Sequence, residues 1–169
     1  MTMRAEVLKA NNLDQAIFTA QRINGDEEKF AELMELFFSK DIKTANRAAW
    51  VLAHCVDQHP WQIMPHLERL IKNLNNDASD AIKRNSVRAL QFVDIPKNLW
   101  GETIEICFRY LSGSEAIAIK VFAMTVLYNL SLKVPEITNE LKIIIEDKLP
   151  YESAGFKSRA KKILMKIGV

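Results

Sequence analysis

The sequence predicts an all-α fold of stacked helical hairpins, and three observations carry that prediction. The first is a period. Phe30, Leu67, Ile104 and Leu141 stand 37 residues apart, as do Leu33, Leu70, Cys107 and Ile144, and Met34, Ile71, Phe108 and Ile145. The second is a pattern later in each unit, in which positions one, five and nine are small or apolar. It reads Thr44, Ala48, Leu52; Ile82, Ser86, Leu90; Ile119, Ala123, Leu127; and Phe156, Ala160, Leu164. The third is composition. Only 5 Gly and 5 Pro occur in 169 residues and no β-branched alternation is present, which disfavours strands. Self-similarity at this period marks a helical solenoid, in which no hairpin buries its apolar face without its neighbours.

The elements follow in order. Residues 1–25 read as a degenerate N-terminal capping hairpin: Leu13, Ala16, Ile17, Ala20 and Ile23 hold helical spacing, Asn12 suits an N-cap and Gly25 a stop. Residues 26–59 form the first regular repeat. Asp26 caps a helix to about Phe38, Glu27 and Glu28 sit in its first turn where the helix dipole favours negative charge, and its partner runs from about Ile42 to Val56. The second repeat, 60–95, opens at Pro60 with helices over about 61–75 and 79–93. The third, 96–134, places helices over about 97–111 and 115–132, and the fourth, 135–169, over about 136–148 and 154–167. Gly113 and Gly155 are expected in the turns between paired helices, where positive φ is useful. No linker or low-complexity tract interrupts the chain, so residues 1–169 are expected to form a single domain. At about 100° per residue, positions one, five and nine of a second helix share a stripe about 80° wide. The small residue at position five, Ala48, Ser86, Ala123 or Ala160, lets two helix backbones approach closely.

The second unit carries the most specific resemblance. The run from Pro60 through Trp61, Pro65 and Leu67 to Leu74 is similar to the first helix of a HEAT repeat, including a proline that kinks it. The run from Asp77 to Leu90 resembles the HEAT second helix: an acid in the turn, an apolar–basic pair at Ile82 and Lys83, then Ser86 and Leu90 at four-residue steps. Lys120 and Lys157 hold the same basic position in later units, and Ala45 departs from it. The resemblance covers residues 26–168 and implies a right-handed α–α superhelix, an armadillo-like HEAT solenoid of four hairpins behind the N-terminal one.

In a HEAT-type array the second helices line a concave surface, so their positions three, seven, ten and fourteen are what a partner would meet. These are Asn46, Trp50, Ala53 and Asp57; Arg84, Arg88, Gln91 and Asp94; Val121, Thr125, Tyr128 and Leu132; and Ser158, Lys162 and Met165. Trp, Tyr and Arg are enriched at binding hot spots. Trp50, Asp57, Arg84, Arg88, Tyr128 and Lys162 are therefore the expected partner-binding residues, with burial of Trp50 against a neighbouring helix as the competing reading.

A formal net charge of +2 is too small to argue for a polyanionic partner. The N-terminus lacks the long apolar segment of a secretory signal, and the longest apolar stretch, 116–127, contains Lys120 and is too short to span a bilayer. A cytoplasmic protein is expected, with Cys55 and Cys107 as two buried thiols on different helices. His54, His59 and His66 surround Cys55 and Asp57, and Cys55 and His59 are spaced to reach one metal ion. Structural zinc takes four N or S ligands and no second such pair occurs, so no metal is expected. Neither phosphate-loop, nucleophile-elbow nor metalloprotease motifs are present, and a Cys55–His59 dyad would need a thiol that faces away from the core. No cofactor and no catalytic residue are expected.

Two readings of function lead, ahead of a third, a stability or assembly subunit whose exposed edge pairs with a larger complex. One is a non-catalytic scaffold or adaptor that binds a protein segment in the groove. The other is nucleic-acid binding: the chain is similar in fold to the HEAT-like DNA-alkylation-repair glycosylases, which use aromatic and acidic residues in a basic concave groove. Trp50, Asp57, Arg84, Arg88, Tyr128 and Lys162 are the nearest equivalents by position, and no motif assigns them catalytic roles. A phosphate-tracking groove calls for a basic stripe, which places this reading second. Basic residues do gather at the C-terminus, where Lys157, Arg159, Lys161, Lys162 and Lys166 face only Glu152. A final repeat needs such a polar outer face, so this is first a cap and second a docking patch.

Overall fold

Short polar side chains cap the starts of α-helices at Thr2, Asn12, Asp26, Ser79 and Ser153, and apolar faces then pair the helices. The computed structural model describes residues 1–168, and no strand occurs among them. The chain forms two units, Met1–Asp94 and the part from Ile95 onward.

In the first unit, α1 (Met3–Lys9), α2 (Leu13–Ile23), α3 (Glu27–Phe37) and α4 (Ile42–Gln58) follow one another closely. A 3-10 segment, Pro60–His66, then runs into α5 (Leu67–Asn73), and α6 (Asp80–Leu90) completes the unit. Caps stand where the sequence places them. Asn12 Oδ1 accepts from the Gln15 N–H at 2.9 Å and Asp26 Oδ1 from Lys29 at 3.0 Å, each satisfying a donor that the first helical turn leaves unpaired. Ser79 Oγ caps α6 by accepting from Ile82 at 3.3 Å, and donates to Asn46 Oδ1 at 2.6 Å, tying that cap to α4. Gly25, at φ +81, ends α2 in a conformation that L side chains rarely adopt.

The centre of this unit is α4, which packs on α1, α2, α3 and α6. Ala45, Ala48, Ala49 and Ala53 are all buried, so helix backbones approach it from several sides, with Leu52, Val51 and Val56 filling the remaining space. Arg47 Nη1 reaches the Ala10 carbonyl at 2.5 Å and satisfies an acceptor at the end of α1.

In the second unit, a 3-10 turn, Lys97–Leu99, leads into α7 (Trp100–Ser112), which is followed by α8 (Ile117–Ser131). A 3-10 turn, Pro135–Ile137, precedes α9 (Thr138–Lys148), and another, Leu149–Tyr151, precedes α10 (Ala154–Ile167). Here α8 is central, packing on α7, α9 and α10 through Ile119, Ala123, Met124, Val126, Leu127 and Leu130. Lys120 Nζ meets Glu152 Oε1 at 2.7 Å, with both side chains only 12% exposed, so the repeat's basic position ties α8 to the start of α10. Gly168, at φ +91, receives the end of α10.

Two expectations are corrected. Gly113 and Gly155 do not supply positive φ. Gly155 lies in the first turn of α10, started by the Ser153 cap, and Gly113 has φ −84. What Gly113 provides is room, since a Cβ there would stand 3.0 Å from the Arg109 carbonyl oxygen. The first helix of the second repeat is also not α-helical from residue 61. It winds as a 3-10 segment as far as His66, because Pro65 donates no N–H and its ring crowds the carbonyl four residues back.

Candidate partner-binding surface

In the first unit, Trp50 and Asp57 lie two turns apart on α4, and Arg84 and Arg88 one turn apart on α6, the helix packed beside it. The packing brings Asp57 and Arg88 together. Arg88 Nη2 donates to Asp57 Oδ2 at 2.9 Å, with each side chain 28% exposed. The Arg88 backbone carbonyl also accepts from Gln91 Nε2 at 3.1 Å. Behind the pair lies His54, which is buried and whose Nε2 has no hydrogen-bond partner. Burial, and then the Arg88 guanidinium, hold the imidazole below its ordinary pKa, while Asp57 pulls the other way. The ring is therefore neutral at neutral pH, an uncharged backing for the ion pair. Trp50 is half-buried, dividing its ring between core and surface, and Arg84 is exposed. Ala53, expected on this face, is instead fully buried, because α4 is surrounded on more sides than one stripe allows.

In the second unit, Tyr128 is half-buried on α8 and Lys162 exposed on α10. Lys162 is not the residue that meets Tyr128. That role falls to Lys166, whose Nζ lies 5.3 Å from the ring centroid, within cation–π range. Its position one helical turn beyond Lys162 was the available signal. Arg159 Nη1 donates to Thr125 Oγ1 at 2.6 Å, a second polar tie between α10 and α8.

The two cysteines of the chain are not poised as nucleophiles. Burial pushes both the Cys55 and the Cys107 thiol up to about 12, so neither presents a thiolate at neutral pH. Cys55 Sγ points at the Ala20 carbonyl oxygen, 3.9 Å away, rather than toward His59. Among the described residues, no three His, Cys, Asp or Glu side chains gather closely enough to hold a metal ion, and no helix is long and apolar enough to cross a membrane.

No curated protein and no solved structure matches this chain. A family profile described as a HEAT repeat domain does match, over residues 4–167. That span takes in the N-terminal hairpin as well as the four regular ones, and with the all-helical architecture it places the chain in the HEAT repeat family.

Proposed function

We propose that this protein is a non-catalytic scaffold or adaptor that binds a segment of a partner protein on its second-helix faces. The observation that carries the reading is the α4–α6 face of the first unit, where a half-buried Trp50 and an exposed Arg84 accompany the Asp57–Arg88 pair. These are the residue types that dominate binding energy when a partner excludes water from them. A guanidinium already held by a carboxylate loses less side-chain freedom on binding. Tyr128 and Lys162 are the corresponding residues of the second unit. Two cysteines that are free and buried accord with a cytoplasmic setting.

The test is a quantitative pull-down with the wild-type chain and the Trp50→Ala/Arg88→Glu double variant as baits, with circular dichroism confirming that both are folded. Proteins retained by the wild type should be lost from the variant. Unchanged recovery on a folded variant removes the second-helix face from the reading.

Nucleic-acid binding is the second reading, favoured by Lys161, Lys162 and Lys166, all exposed on α10. Against it, Arg88 is paired with a carboxylate and Lys166 lies over a tyrosine ring. It requires duplex DNA binding that falls steeply with salt and weakens in Lys162→Glu. An unshifted duplex at low salt disposes of it.

A further inference from the structure

Away from the second-helix faces, the 3-10 segment Pro60–His66 and the first turn of α3 enclose a pocket of about 260 Å³, lined by Glu27, Trp61, Gln62, Pro65 and His66. Its floor is unusual. Gln62 is only 4% exposed, yet neither its Oε1 nor its Nε2 has a hydrogen-bond partner. A buried carboxamide with both ends unmet destabilises a fold that an apolar side chain of similar length would suit better. Such a departure from good packing is expected where a ligand supplies the missing partners.

The walls indicate what kind of ligand. Trp61 is 49% exposed, with the His59 ring 6.3 Å from its own in an edge-on arrangement, so a large aromatic surface is held open to solvent. His66, whose ring lies 5.8 Å from that of Phe30, has its pKa lowered chiefly by burial and adds no positive charge at neutral pH. At the rim, Glu27 is exposed beside Glu28, while the nearby Lys29 is taken up by Asp26 at 2.8 Å. An indole face, an uncompensated carboxylate and an unpaired amide together suit a planar cation that is attached to a peptide.

We propose that this pocket binds an arginine side chain of a partner peptide. The guanidinium lies against the Trp61 indole and donates to the Glu27 carboxylate, and the Gln62 side chain turns from its buried position so that Oε1 accepts from the guanidinium and Nε2 donates to a carbonyl of the peptide. Arginine suits the site better than lysine because its planar fork stacks on an aromatic face and donates in several directions at once. None of these residues belongs to the second-helix faces, so the proposal stands apart from the scaffold reading.

The experiment is a titration of the isotopically labelled full chain with the peptide acetyl-Gly-Arg-Gly-amide, followed by NMR at the Trp61 indole N–H and the Gln62 side-chain amide. Both signals should shift and saturate. Glu27→Gln should weaken binding about tenfold, the scale of a lost charge-assisted hydrogen bond. Gln62→Met should weaken it while raising Tm. The Trp50→Ala/Arg88→Glu variant should bind the peptide as the wild type does, so failure here and failure of the scaffold reading are distinguishable. Three results overturn the proposal. One is a Trp61 signal that never moves, and another is equal binding of the peptide with citrulline in place of arginine. The third is a Gln62→Met protein that is more stable and binds unchanged, which would leave the amide a packing defect only. Glu27 is a surface residue, so its variant keeps the test open even if the Gln62 change disturbs folding.

Discussion

The central helices of the two units, α4 and α8, occupy the same place in the repeat and are built differently. α4 is rich in alanine and packs on α1, α2, α3 and α6, while α8 carries Ile119, Met124, Val126, Leu127 and Leu130 and packs on α7, α9 and α10. Small side chains let helix axes come close from many directions, whereas larger ones fill a wider gap between fewer partners. The polar ties differ as well. The first unit leaves its Asp57–Arg88 pair 28% exposed, and the second withdraws Lys120 and Glu152 to 12%. A repeat period therefore specifies where a helix stands without specifying how tightly it is enclosed.

The largest expected effect tests that enclosure directly. Ala48→Leu and Ala123→Leu insert the same extra volume at the same position of the repeat, and overpacking costs about 1–3 kcal/mol. Ala48→Leu should fall at the upper end because Ala48 is fully buried in the helix that packs on α1, α2, α3 and α6, and Ala123→Leu, in a helix that packs on α7, α9 and α10, at the lower end. Denaturant unfolding of the two variants measures the difference, and equal losses would remove the distinction between the two centres.

A smaller effect is expected from the ion pairs. Glu152→Gln leaves the Lys120 ammonium nearly buried without its counter-charge and should cost about 1–3 kcal/mol. Asp57→Asn, at the more exposed pair, should cost less than about 1 kcal/mol. Thermal unfolding at low and high salt separates them, since only the more exposed pair is strongly screened. A reversed order would mean that exposure does not govern these pairs.

The smallest effect is one of pH, and it belongs to the first unit alone, which holds all 3 histidines of the chain. His54 and His66 both have folded pKa values lowered from 6.5, so the native state favours their neutral forms. As pH falls below 6.5 the unfolded chain takes up protons more readily than the folded one, and stability present above that point is lost as pH drops through the lowered values. Hydrogen exchange, corrected for intrinsic rates, should show α4 and α5 losing protection between about pH 7 and about pH 5.5, with α8 unaffected. His54→Gln should blunt the loss. An equal loss in α8 would place its origin elsewhere.

Much of the fold was legible in the chain, and the reasons are local. Asn12 and Asp26 cap because a short polar side chain before an apolar-periodic run has few other uses, and both accept the expected backbone N–H. Gly25 takes positive φ where the helical pattern stops. Less was legible where a residue's role depends on a second helix. Ala53 reads as outward from its own helix but is buried by neighbours that a single-helix projection omits. Lys166 rather than Lys162 meets Tyr128 because the packing of α10 on α8 selects one of two lysines on nearby turns. The unpaired amide of Gln62 has no sequence signal, since glutamine is commonplace and its isolation appears only when every neighbouring donor and acceptor is located.

By itself the sequence determined the helical hairpins, their period and most of their starting points, because periodicity, capping groups and prolines act over a few residues of one chain segment. Tertiary structure alone decided which side chains are enclosed, which charges pair, and which polar group is left unmet. Those outcomes depend on distances between segments some thirty residues apart, and a repeat pattern constrains such distances only to the width of a helix.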